Sequence, residues 1–120
     1  MRILVVDDSR AVHMFVDGMF AGKQVELTHA HNGQIACDTF EEGKFDLILL
    51  DWEMPEKDGL ATASEIRQRS AVPIIMVTSK NEVADIERML SVGVNEYVMK
   101  PYTPEILFDK IEQVIGKKVA

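Results

Sequence analysis

FDLILLDWEMPEKDG (Phe45–Gly59) is the stretch that decides how this chain folds. Its first half is a nearly continuous apolar run, Phe45–Leu50, that stops at Asp51. A run of that length without polar alternation reads as a strand buried on both faces, which is the signature of a parallel sheet covered by helices. Its second half holds Pro55, Asp58 and Gly59, a loop, after which Leu60, Ala63 and Ile66 recur at helical spacing. Strand, acid, loop and helix follow one another in that order.

The same unit recurs on either side. Ile3–Val6 is β-branched and apolar and stops at Asp7-Asp8. Val12, Phe15, Val16, Met19 and Phe20 then form one helical stripe. Val25, Leu27 and His29 alternate as a half-buried strand, Asn32-Gly33 marks a turn, and Ile35 and Phe40 predict a modest helix. Pro73–Val77 is a second buried strand ending at Thr78, followed by a stripe of Val83, Ile86, Met89 and Leu90 that ends near Gly93. Tyr97–Met99 predicts a short strand reaching Lys100-Pro101. Thr103-Pro104-Glu105 is a helix start, with a capping hydroxyl, proline in the first turn and an acid on the positive end of the dipole. Leu107, Ile111, Val114 and Ile115 complete that helix.

Five strand–helix pairs predict an α/β domain with a five-stranded, doubly wound parallel sheet. The 120 residues suit one domain, 1–120. The chain is 47% apolar and 28% charged, ordinary for a globular fold. A net charge of −7 with no basic run argues against a nucleic-acid or anionic-membrane partner. A single cysteine, Cys37, rules out an internal disulfide and predicts a reducing, cytoplasmic setting. The buried apolar runs are too short to span a bilayer, and Asp7-Asp8 comes too early for a secretory signal.

In such sheets ligands bind beyond the carboxyl ends of the strands. Those ends carry Asp7, Asp8, Asp51, Thr78 and Lys100. Converging carboxylates repel unless a cation compensates them. An all-oxygen set without His or Cys favours a hard divalent ion such as Mg²⁺. Lys100 and Thr78 add a positive charge and a hydroxyl, which suit a phosphoryl group. One carboxylate can then serve as its acceptor.

Four motifs carry a resemblance over essentially the whole chain: LVVDDS (Leu4–Ser9), LILLDWEMPEKDG (Leu47–Gly59), IIMVTS (Ile74–Ser79) and YVMKPYT (Tyr97–Thr103). In this order and at strand ends they resemble the receiver domain of two-component response regulators, most of all the stand-alone chemotaxis type. The resemblance implies a flavodoxin-like (βα)5 fold with strand order 2-1-3-4-5. It implies Asp51 as phospho-acceptor, Asp7, Asp8, Asp51 and the backbone carbonyl of Glu53 as Mg²⁺ ligands, Thr78 and Lys100 as phosphoryl partners, and a cis Lys100-Pro101 bond. It also implies Tyr97 as a switching aromatic and an output face near Ile86, Asn95, Tyr97 and Lys110.

The function expected is a signalling switch rather than an enzyme. A histidine kinase is its phosphodonor, and a protein such as a flagellar motor component or a phosphotransfer protein is its target. A monomer is expected. The alternatives are a phosphorelay intermediate, a receiver cut from a larger regulator, or a small Mg²⁺-dependent phosphatase with an aspartate nucleophile. The phosphatases of that chemistry place a second acid two residues after the nucleophile on the first strand, which Asp7-Asp8-Ser9 lacks. A flavodoxin-like cofactor binder is disfavoured because Asp7-Asp8 would repel a phosphate. Glu53 and Lys80 are expected to pair over the site and prolong the phosphorylated state. Trp52 reads as free of chemistry, the seven methionines as core filler and Cys37 as a small helix residue. His13, His29 and His31 show no metal-ligand spacing and read as surface or strand-edge residues.

Overall fold

A computed structural model describes residues 1–120. The elements run β1 (Arg2–Val6), α1 (Arg10–Phe20), β2 (Glu26–Ala30), α2 (Gly33–Thr39), β3 (Leu47–Asp51), α3 (Gly59–Arg67), β4 (Ile74–Thr78), α4 (Val83–Ser91), β5 (Glu96–Met99) and α5 (Pro104–Ile115). The strands form one sheet in the order β2-β1-β3-β4-β5, and every neighbouring pair is parallel. Both the flavodoxin-like architecture and the strand order match the expectation.

The two-residue period of a strand splits the core into two. Leu4, Val6, Ile48, Leu50, Ile74 and Met76 face one way and pack with Ala36, Cys37 and Phe40 of the α2 region, Leu60, Ala63 and Ile66 of α3, and Met89 of α4. Ile3, Val5, Leu47, Leu49, Ile75 and Val98 face the other way, onto Val16 and Phe20 of α1 and Leu107 and Ile111 of α5. β3 and β4 are buried along their whole length, which is why their sequences show no polar alternation.

Four helices open on a side-chain cap: Ser9 Oγ to Val12 N, Asn32 Oδ1 to Ile35 N, Asp58 Oδ1 to Ala61 N and Thr103 Oγ1 to Ile106 N. α4 has none; its N-cap is Glu82, and no side chain accepts from its first turn.

The modest helix expected around Ile35 and Phe40 is α2, which buries Gly33, Ala36 and Cys37 and leaves Ile35 44% exposed. Two expectations need correction. Val83 and Leu90 of the α4 stripe are also largely exposed, leaving Met89 as its one buried residue. His13 is buried against the end of β1 rather than lying on the surface, since α1 turns it toward the sheet. Cys37 is a buried helix residue as read. Met54, Met76 and Met89 fill the core, whereas Met14 lies exposed.

Candidate phosphoryl-acceptor site

Parallel strands carry all their carboxyl ends to one rim. β1 delivers Asp7 and Asp8, β3 delivers Asp51, β4 delivers Thr78, and β5 runs straight into Lys100. Backbone bonds lock these ends together. Lys100 N donates to the Thr78 carbonyl (2.9 Å), Trp52 N to the Val77 carbonyl (3.1 Å), and Asp7 N to the Ala30 carbonyl (3.2 Å). Gly59 N donates to the Trp52 carbonyl (2.9 Å) and seats the start of α3 against the end of β3. A Cβ at Gly59 would come within 2.7 Å of Trp52 Cα, so only glycine allows that approach. The Lys100-Pro101 bond is cis, as expected.

Asp7, Asp8 and Asp51 each bring a carboxylate oxygen to within 4.8 Å of the others'. Asp7 and Asp51 are buried and Asp8 is exposed, so the cluster has an inner wall and an open side. Asp7 Oδ1 accepts from Ser9 N (2.8 Å), which orients one carboxylate. An all-oxygen, anionic set of this size fits a hard divalent cation such as Mg²⁺.

Lys100 Nζ donates to Asp51 Oδ1 at 2.5 Å. Burial still pushes the Asp51 carboxyl up to about 6, against the pull of the Lys100 hydrogen bond, and the Asp7 charge adds to the rise. Burial likewise raises Asp7, offset in part by the Ser9 N–H. Burial works against the Lys100 ammonium too, but the bond to Asp51 and the negative charges of Asp51, Asp7 and Glu53 together outweigh it and its pKa is raised. A cavity of about 340 Å³ lies beside the acids, walled by Val12, Phe15, Val16, Leu49, Val77 and Tyr102.

The Thr78 hydroxyl is fully buried. It donates to Glu53 Oε1 (2.8 Å) and accepts from Lys80 N (2.9 Å). Glu53 Oε1 also accepts from Ser79 N (3.4 Å), and its Oε2 lies 4.0 Å from Lys100 Nζ. The Glu53 side chain thus occupies the two groups, Thr78 and Lys100, that an anion at Asp51 would require. The expected Glu53–Lys80 pair is absent. Lys80 Nζ sits 5.4 Å above the Trp52 ring, which also carries the Arg88 guanidinium at 5.5 Å. Indole attracts cations, and Thr78 and Lys100 already hold the carboxylate. Trp52, read as idle, is thereby a buried platform that ties the end of β3 to α4.

Of the residues expected on the output face, Tyr97 and Ile86 are half-buried and pack against the core around Met89. Lys110 Nζ pairs with Glu96 Oε2 at 3.5 Å, joining α5 to β5. Asn95 lies exposed just before β5, and its Oδ1 accepts from Ile74 N (2.8 Å) and Arg67 Nη2 (2.8 Å) at the start of β4. The Glu53 contact and the cation platform lie beyond sequence reading, because the groups are 25 to 36 residues apart and meet only through strand register.

Residues 3–112 match the family described as the response regulator receiver domain. Chemotaxis protein CheY1 of Helicobacter pylori is 34% identical over 97% of this chain and 98% of its own length. The uncharacterized transcriptional regulatory protein YclJ of Bacillus subtilis is 35% identical over 98% of this chain, which spans only 52% of that longer protein. A two-component response regulator from Clostridium difficile superposes with a TM-score of 0.90 at 27% identity, covering 98% of this chain and 97% of the other. The receiver domain of the sensor histidine kinase PA1611 from Pseudomonas aeruginosa, solved with a magnesium ion in its active-site cleft, superposes at 0.85 with 29% identity, covering 97% of this chain and 98% of the other.

Proposed function

The chain belongs to the response regulator receiver domain family, and we propose that it works as a phosphorylation switch of the chemotaxis type, with Asp51 as the acceptor. The observation that carries this is the buried Asp51 carboxylate, held by Lys100 inside the three-acid cluster.

A histidine kinase presents a phosphohistidine. An Asp51 oxygen attacks phosphorus, the O–P bond forms, the N–P bond breaks, and its electron pair leaves with the imidazole. Lys100 orients the attacking carboxylate and follows the charge onto the phosphoryl oxygens. Asp7, Asp8, Asp51 and the Glu53 carbonyl would hold Mg²⁺. When bound, that ion neutralises negative charge on the transferring group.

The readout is an exchange of partners. The Thr78 hydroxyl leaves Glu53 for a phosphoryl oxygen, and Lys100 shifts from the Asp51 carboxylate onto another. Thr78 leads directly toward α4, whose only buried anchor is Met89. Tyr97, Ile86 and Lys110 lie on the α4–β5–α5 surface, where a partner such as a motor component or a phosphotransfer protein would feel the shift. Moving such an equilibrium from 1:99 to 99:1 takes about 5.5 kcal/mol, within reach of a dianion gaining several charge-assisted bonds.

The test is mass spectrometry after incubation with a small phosphodonor and Mg²⁺. One phosphoryl increment should appear on Asp51 and disappear in Asp51→Asn. Trp52, one residue on, should change its fluorescence in the wild type only. Multiple turnover of a phosphate ester without a stable adduct would instead favour the phosphatase reading.

A further inference from the structure

His13, His29 and His31 come from α1, β2 and the end of β2, and the fold brings their rings together. His13 Nε2 lies 2.8 Å from the Asp7 carbonyl oxygen. A carbonyl only accepts, so Nε2 carries the hydrogen and Nδ1 of the neutral ring presents a lone pair. Burial lowers the His13 pKa, which favours that neutral ring. His29 Nε2 lies 2.7 Å from Asp17 Oδ1. A carboxylate also only accepts, so the same reasoning turns the Nδ1 lone pair of a neutral His29 inward. The two Nδ1 atoms face each other at 2.5 Å. Two lone pairs at that distance repel, and a cation between them removes the conflict.

A shared proton would satisfy two rings and leave the third without a purpose. The His31 ring centroid is 4.3 Å from that of His13, and His31 directly follows the end of β2. Its nitrogens do not yet converge with those of the pair, but His31 is exposed and no hydrogen bond fixes its ring, so a turn of the side chain can bring it to them. The outer contacts also suit a metal. Metal-ligating histidines donate their remote N–H to a backbone carbonyl or a carboxylate, and here Asp7 and Asp17 supply one of each. Nitrogen donors at about 2.0–2.1 Å from a tetrahedral ion stand about 3.3 Å apart, so the two rings need to separate by less than about 1 Å.

We propose that His13, His29 and His31 form a second metal site, for Zn²⁺ or another borderline divalent ion, distinct from the acidic cluster. Imidazole nitrogens select such ions, while the carboxylates select a hard one. The two sites share a joint: the His13 N–H that would orient a zinc ligand holds the carbonyl of Asp7. Zinc at the histidines therefore stiffens the β1 end from which Asp7 and Asp8 project.

The experiment titrates Zn²⁺ into the tag-free, chelator-treated full chain, with Mg²⁺ in excess to occupy the carboxylates. One equivalent should bind with low-micromolar or tighter affinity and shift the imidazole NMR signals of all three histidines. His29→Gln and His31→Gln should each abolish saturable binding, and Asp17→Asn should weaken it about tenfold. His31 is exposed, so its variant keeps the test open if His29→Gln misfolds. The proposal fails if no stoichiometric uptake occurs, if either histidine variant retains it, or if the shifted signals belong to the Asp7–Asp8 segment instead.

Discussion

α3 and α4 are both nine residues long and lie on the same face of the sheet, yet they are held very differently. α3 buries Gly59, Leu60, Thr62, Ala63 and Ile66 and opens on the Asp58 cap. α4 buries Met89 alone, lacks a side-chain cap and exposes Val83 at 72% and Leu90 at 57%. Each follows a strand that ends in the site, β3 at Asp51 and β4 at Thr78. Asp51 therefore stands before a firmly packed helix, and Thr78 before a thinly packed one. The proposed switch would need this division. The chemistry requires fixed geometry, whereas the output must be cheap to move.

The largest expected effect bears on this contrast directly. Ile66→Ala removes a fully buried side chain from α3 and should cost about 3–5 kcal/mol in urea unfolding. Met89→Ala should cost about 2–3 kcal/mol, and much of that loss should be local. Native-state hydrogen exchange checks this: α4 amides should exchange through local opening and α3 amides only on global unfolding. Equal protection of the two helices would end the comparison.

Next comes Asp51→Asn in metal-free protein. The Asp51 carboxyl, pushed up to about 6, holds its proton more tightly in the folded chain than in the unfolded one. Stability is therefore lost as pH rises from about 4 to about 6, by up to roughly 3 kcal/mol at 1.4 kcal/mol per pH unit. The asparagine variant, which resembles the protonated carboxyl at every pH, should be more stable than wild type at pH 7 by up to roughly 3 kcal/mol, the same amount that wild type loses on ionising. The difference should vanish below pH 4. Adding Mg²⁺ should stabilise the wild type more than the variant. Thermal melts across pH, with and without Mg²⁺, read all three.

Exchanging the caps sharpens the contrast further. Asp58→Ala should cost about 1 kcal/mol, while Glu82→Ser, which offers α4 the cap it lacks, should add about 0.5 kcal/mol and slow exchange in α4. The smallest effect is Leu90→Ser on the exposed side of α4, within about 0.5 kcal/mol for stability. A larger loss there would mean that α4 is packed more firmly than its burial indicates.

Four of the strands were legible as short apolar runs ended by a polar residue and β2 as an alternating one, and the same punctuation exposed Asp7, Asp8, Asp51, Thr78 and Lys100 as a set. The resemblance added strand order and roles. Less could be read of what lies between elements. Periodicity marks a stripe on α4 but not how much of it a neighbour covers, so Val83 and Leu90 read as core. Nor could the sequence show that the Asn95 amide bonds to Ile74 and Arg67. Glu53 and Lys80 looked like natural partners by charge and spacing, yet Glu53 found Thr78 and Lys80 found Trp52.

By itself, the amino-acid order determined which segments are strands and helices and that the reactive side chains follow strand ends, because those depend on local periods and on where apolar runs stop. Only the tertiary structure decided how far each group is desolvated, which carboxylate Thr78 and Lys100 hold at rest, and that three histidines spread over nineteen residues meet beside Asp7. Those outcomes depend on distances across the sheet and on the exclusion of water, which neighbours along the chain do not set.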